Sequence, residues 1–292
     1  MKVSSRGKKI MGIALATLII APFLIYAILY VLQERMIFVG ALMNEQNLKL
    51  IRARHPKAEE LTIETPDGTK LHGWFLDNSL VYKSPLLIYF GGNNEEASNL
   101  LDTVGSLDGW SVLLVNYRGY GLSSGEPTEE NLFKDSLFLY DTFSKRDDID
   151  PGNIVAMGRS LGSGVAVYLA SRRPLKAVML TTPYDSIREV AQERFPFVPI
   201  KRLLKHPFDS LALASTIKTP MIAFLATRDR TVRPERSKRL IEGWAGTTDV
   251  IRIQDASHGN IVDHDEYWTG IRDYLDNITE TTAGEADEAV GH

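Results

Sequence analysis

Six short apolar runs, at residues 86–90, 112–115, 154–157, 177–180, 221–225 and 250–253, are bounded by turn residues and separated by stretches of helical length. Runs of four or five apolar residues without polar alternation suit strands covered on both faces. The stretches 97–107, 129–144, 161–171, 234–244 and 261–275 between or after them predict helices. Strand and helix in repeated alternation imply an α/β architecture, a mainly parallel sheet with helices on both faces, whose ligands sit beyond the carboxyl ends of the strands. Ahead of the alternation, residues 61–64 and 70–75 flank Pro66-Asp67-Gly68 and read as a leading β-hairpin. Residues 184–219 break the rhythm around Phe195-Pro196-Phe197-Val198-Pro199. A structureless loop of that length is uncommon, so the interval reads as a small helical cap above the strand ends, placed to shape a substrate pocket.

Residues 10–32 form a second constraint, 23 positions with no charged side chain. As a helix they span roughly 34 Å, enough to cross a hydrocarbon core of about 30 Å. The run is too long for the apolar part of a cleaved signal peptide, and its one A-x-A match, Ala14-Leu15-Ala16, falls too early to be a cleavage site. A retained anchor is therefore expected. Lys2, Arg6, Lys8 and Lys9 precede it, whereas Arg35 alone is basic in the fifteen residues after it. The excess of positive charge places the amino terminus in the cytoplasm and the body in a periplasmic or extracellular space.

The expected organisation is a basic cytoplasmic segment at 1–9, the transmembrane anchor at 10–32, a juxtamembrane segment at 33–60, the α/β domain at 61–276 and a disordered acidic tail at 277–292. The juxtamembrane stretch is mixed in character and suits either a helix or a docking segment. The chain carries no cysteine, which removes disulfides, thiolate metal sites and cysteine nucleophiles. A net charge of -4 supplies no basic excess for binding nucleic acid.

Gly158-Arg159-Ser160-Leu161-Gly162 is a G-x-S-x-G sequence. It directly follows the buried run 154–157 and opens the helix at 161–171, the strand-turn-helix setting that a nucleophilic serine elbow requires. The turn must be tight enough to strain Ser160 and expose its hydroxyl, and a Cβ at Gly158 or Gly162 would crowd it. A serine hydroxyl needs a base, and the base needs an orienting carboxylate. Of six histidines, His258 and His264 are placed after the last strand; His258, in Ala256-Ser257-His258-Gly259-Asn260, is favoured because small residues let its loop reach the strand ends. Asp229 follows the preceding strand and is the favoured acid, with Asp255 as the substitute. For the developing oxyanion, the backbone N–H of Leu161 is one donor. Gly91-Gly92-Asn93-Asn94 supplies the second, Asn93 first and Gly92 next.

These residues together resemble the alpha/beta-hydrolase superfamily, and within it the branch of small serine hydrolases with a single amino-terminal membrane span. Asn116-Tyr117-Arg118-Gly119-Tyr120-Gly121-Leu122-Ser123-Ser124-Gly125 is similar to that branch's loop after the fourth strand, and Thr182-Pro183-Tyr184-Asp185-Ser186 to its lead into the cap. The resemblance implies Ser160 as nucleophile, Asp229 as acid and His258 as base. The chain departs from the pattern at Gly91, where many relatives carry histidine, and at Ala226, where glycine is common before the acid.

The expected function is membrane-anchored cleavage of carboxylic esters, acyl esters or thioesters, through an acyl-enzyme, with a small-molecule or lipid-like ester as substrate and no metal or organic cofactor required. A serine amidase or peptidase uses the same groups, because fold and triad do not set the substrate. A membrane-tethered binding module without turnover would be marked by a missing triad member. No sequence feature sets the oligomeric state.

Overall fold

Thr65, Pro66, Asp67 and Gly68 turn the chain back on itself at the start of the body. The turn is closed by Thr65 N–H donating to the Thr69 carbonyl at 2.9 Å, with Gly68 at φ 82°. It joins β1 (Glu59–Glu64) to β2 (Lys70–Leu76) as the expected antiparallel hairpin. The computed structural model, which describes residues 5–80 and 82–290, continues with β3 (Ser84–Phe90), β4 (Ser111–Val115), β5 (Ile149–Arg159), β6 (Ala177–Thr181), β7 (Met221–Ala226) and β8 (Thr248–Ile253). The eight strands form one sheet in the order β1-β2-β4-β3-β5-β6-β7-β8. β2 meets β4 antiparallel, and every pairing from β4 through β8 is parallel.

The helices are α1 (Ser5–Ile37), α2 (Glu45–Arg54), α3 (Leu101–Val104), α4 (Glu129–Phe143), α5 (Leu161–Ala170), α6 (Ile187–Arg194), α7 (Ile200–Leu203), α8 (Ser210–Ala214), α9 (Pro234–Glu242) and α10 (Asp265–Val290). Leu86, Ile88 and Phe90 of β3 point to one face, where they join buried residues of α4, α5, α8 and α9. Leu87 and Tyr89 point to the other, against α2, α3 and α10. Both faces are covered, as the unbroken apolar runs require.

Two expected helices depart from their patterns. Residues 97–107 form only a 3-10 turn (Ala97–Leu100) followed by the single turn of α3, and Ile261–Asp263 is a separate 3-10 turn ahead of α10. Residues 184–219, expected as a small helical cap, hold the short helices α6, α7 and α8. α10 runs through Val290, over the stretch from Asn277 expected as a tail; the stretch is rich in Ala and Glu, which favour helix locally. Lys2 and His292 lie outside the described residues.

α1 includes the apolar run and extends five residues past Leu32. Its segment Met11–Ile37 is long and apolar enough to cross a membrane. Residues 38–42 then dock on the body. Phe38 is buried with its ring 5.2 Å from that of His206, Gly40 N–H donates to the Asn93 carbonyl at 3.1 Å, and Leu42 forms a bridge with Gly121.

Candidate active site

Ser160 sits where β5 turns into α5, at φ 49° and ψ -115°. A side chain in that conformation is strained and persists only where surrounding contacts enforce it. Here Ser160 N–H donates to the Thr181 carbonyl of β6 at 2.9 Å, and the Ser160 carbonyl accepts from Ser163 N–H at 2.9 Å and from Ser163 Oγ at 2.6 Å. A Cβ on Gly158 would fall on the Gly162 carbonyl, and one on Gly162 would fall on the Phe90 carbonyl of β3. Both glycines are therefore required by close backbone approach. Thr182 and Asp255, after β6 and β8, also have positive φ, so strain gathers at the carboxyl ends of the strands.

The same edge brings the other two expected residues to Ser160. His258 Nε2 lies 2.9 Å from Ser160 Oγ, and His258 Nδ1 lies 2.7 Å from Asp229 Oδ2. The second Asp229 oxygen, Oδ1, accepts from the N–H groups of Thr231 at 2.8 Å and Val232 at 2.9 Å. This buried carboxylate is thus hydrogen-bonded on both oxygens and held toward the imidazole. The histidine loop is braced internally, since Ser257 N–H and Oγ both donate to Asn260 Oδ1 at 2.7 Å. Asp255, the substitute acid, instead pairs with Arg228 at 2.5 Å in solvent. His264 lies between the 3-10 turn and α10 and does not line the cavity that holds Ser160 and His258.

Leu161 begins α5, so its N–H is at the open end of a helix beside Ser160. Leu161, Asn93 and Ser160 line one cavity. Gly92 is adjacent as well, a Cβ there lying 3.9 Å from Ser160 Cβ, but its N–H already donates to Glu95 Oε2 at 2.8 Å. The Asn93 carbonyl is turned away, accepting from Gly40 N–H and from Tyr120 Oη at 2.9 Å. At Gly91, the departure from the resembled pattern, the neighbouring space is taken by the Glu95 side chain.

Sequence reasoning missed Arg159 and Glu95. Arg159 Nη1 reaches Glu95 Oε2 at 3.3 Å, while Nη2 donates to the Gly259 carbonyl at 3.1 Å and the His258 carbonyl at 3.4 Å. Glu95 also accepts from Tyr89 Oη at 2.8 Å. One guanidinium thereby ties the histidine loop to the loop holding Gly92 and Asn93. The only available signal was position, since Arg159 directly precedes the nucleophile candidate.

The motif at 116–125 is a brace. Arg118 makes two hydrogen bonds to Asp135, at 2.8 and 2.7 Å, and a third to Asp67 at 2.6 Å, which holds the Asp67 carboxyl far below its usual range. Asn116 joins the loop after β3 through Ala97 N–H at 2.9 Å and Glu96 Oε1 at 2.7 Å. Tyr184, from the lead into the cap, is fully buried and donates to the Leu161 carbonyl at 3.0 Å; burial pushes its phenol well above the ordinary value.

Above Ser160 lies a partly open cavity of about 570 Å³. Ile187, Val190 and Val198 of the cap form part of its wall, and α1 closes another part. Among the described residues, no group of three or more carboxylates and histidines is arranged to hold a metal.

Residues 71–199 match the alpha/beta hydrolase fold family. The chain is 31% identical over 207 residues to an uncharacterized protein of Mycobacterium tuberculosis, across 70% of this chain and 74% of that protein. It is 29% identical to an uncharacterized membrane protein of Saccharomyces cerevisiae, across 85% of this chain and 90% of the yeast protein. Among solved structures, a Pyrococcus furiosus esterase covers 76% of this chain and 91% of its own with a TM-score of 0.61. At 18% identity that likeness is one of fold.

Proposed function

This chain belongs to the alpha/beta-hydrolase family, and from that premise we propose that it is a membrane-anchored serine hydrolase cleaving carboxylic esters through an acyl-enzyme. The observation carrying this reading is His258 suspended between two partners, Nε2 at 2.9 Å from Ser160 Oγ and Nδ1 at 2.7 Å from Asp229.

Ser160 Oγ attacks the ester carbonyl carbon as its proton passes to His258 Nε2. Asp229 holds the Nδ1–H tautomer and offsets the charge of the imidazolium. The carbonyl oxygen, now an anion, lies against the N–H groups of Leu161 and Asn93; the engagement of Gly92 N–H by Glu95 favours Asn93. Collapse of the tetrahedral species breaks the bond to the alcohol, which leaves with the proton from His258. Water then gives a proton to His258 and attacks the acyl-serine, releasing the acid and restoring Ser160–OH.

A fluorophosphonate probe on full-length protein in membranes tests the mechanism. Wild type labels and Ser160→Ala does not; an intact wild-type protein that never labels removes it. For orientation, the proposal is a cytoplasmic amino terminus and an outward-facing body, supported by the basic residues ahead of the span. The absence of cysteine makes this simple to test. A membrane-impermeant maleimide labels Lys83→Cys in intact cells and spares Lys9→Cys; the reverse pattern overturns the orientation.

A further inference from the structure

α1 does more than tether the body. Leu29, Tyr30, Gln33, Met36 and Ile37 line the cavity that holds Ser160 and His258. They recur at helical spacing on one face. Val31, on another face, is 70% exposed. The apolar segment of the helix therefore presents one side to its surroundings and another to the cavity.

The depth of this contact matters. Tyr26 and Leu29 fall inside the apolar run, and Tyr26 Oη donates to the Phe197 carbonyl of the cap at 3.1 Å. Phe197 itself is 91% exposed. A helix rises about 1.5 Å per residue, so Leu29 to Ile37 forms a wall roughly 12 Å tall that begins within the apolar segment. With residues 10–32 spanning a bilayer, the cap loop and the lower cavity wall lie at its level rather than above it. An exposed phenylalanine beside a membrane span is suited to apolar surroundings.

We infer that the anchor helix forms a wall of the acyl-binding pocket, and that the substrate is a membrane-resident long-chain ester whose chain passes along this wall from the bilayer to Ser160. The inference rests on the hydrolase reading above and adds the substrate class and its route. A chain that moves from hydrocarbon into an apolar cavity never has its methylenes exposed to water, so lateral delivery removes the main obstacle to extracting a long-chain lipid. The Ser160 hydroxyl sits where the ester group arrives.

The test uses full-length protein reconstituted in phosphatidylcholine vesicles, with butanoyl and dodecanoyl esters of one fluorogenic alcohol. Leu29→Trp and Met36→Trp fill the wall and are expected to lower the ratio of kcat/KM for the long chain over the short by about tenfold or more. Val31→Trp, on the outer face, leaves the ratio within about twofold of wild type. Leu29→Ala and Met36→Ala, which remove rather than add bulk, also change the ratio and serve if the tryptophan variants do not fold. Unchanged ratios in folded Leu29 and Met36 variants, with fluorophosphonate labelling of Ser160 intact, overturn the pocket wall and leave the hydrolase reading standing. Equal dodecanoyl turnover whether enzyme and ester share a vesicle or occupy separate ones overturns the lateral route. Wild type that neither labels nor turns over either ester overturns both readings.

Discussion

Gln33 on α1 accepts a hydrogen bond from the backbone N–H of Lys205, within the 184–219 segment, at 2.8 Å. Its amide nitrogen donates to the Leu203 carbonyl at 3.0 Å and to the Tyr30 carbonyl at 2.9 Å. Gln33 is buried, so all three bonds operate where water is scarce. Glu34 adds an ion pair to Lys205 at 3.0 Å, and Lys205 holds its carboxyl below the ordinary value. Gln33→Leu leaves a buried N–H and carbonyl unmatched. The expected outcome is a loss of about 1–3 kcal/mol and faster proteolysis of the cap around residues 195–205, read by thermal unfolding and limited digestion in detergent.

In the proposed mechanism Ser160, His258 and Asp229 act as a unit. Ser160→Ala and His258→Ala are each expected to reduce kcat to the background left by the oxyanion donors and binding. Asp229→Asn lowers it by about 10⁴-fold through loss of the correct imidazole tautomer. Steady-state assays of purified protein check both, with unchanged circular dichroism excluding unfolding.

Arg159 touches neither Ser160 Oγ nor His258's ring but holds two loops together, which in the proposed mechanism makes it a positioning residue. Arg159→Met is expected to lower kcat by about 10²-fold, as small displacements of reacting groups do. KM changes little, and Arg159→Lys recovers part of the rate. A KM effect without a kcat effect would place Arg159 in substrate binding instead.

Gly164 in α5 faces Tyr184, and a Cβ there would meet the Tyr184 hydroxyl. Gly164→Ala is expected to cost about 1–3 kcal/mol despite alanine's better helix propensity, because a buried tyrosine has little room to move. Gly164→Ala combined with Tyr184→Phe recovers much of that loss, measured by thermal unfolding of the single and double variants.

Glu129, at the start of α4, has its carboxyl pushed up to about 6 from the ordinary 4.5, chiefly by burial, with Asp209 adding and the Phe208 N–H and Arg188 opposing. The folded state holds this proton more tightly than the unfolded chain does. Its contribution to stability is therefore complete below pH 4.5 and lost as pH rises through about 6. Glu129→Gln removes this dependence and is expected to raise stability by about 1 kcal/mol at pH 7.5, after allowance for partial exposure, with little change at pH 4. Unfolding midpoints at the two pH values decide it.

Local patterns carried most of the fold and the core of the candidate site. Apolar runs mark strands because their residues face helices on both sides of the sheet. Gly158 and Gly162 mark the elbow because no side chain fits between β5, α5 and β3. The order Ser160, Asp229, His258 follows from which strands precede which loops. Strand order was not legible: β4 lies between β2 and β3 because the sheet's pairing joins segments far apart in the chain. Nor was the bridge from Arg159 to Glu95 and Gly259, whose members come from the end of β5 and from two separate loops. The apolar run at residues 10–32 determined by composition alone that a helix long enough for a bilayer begins the chain. Only the tertiary structure decided that this helix also walls the cavity over Ser160, because that depends on Gln33 meeting the backbone at Leu203 and Lys205, a contact that neither segment encodes by itself.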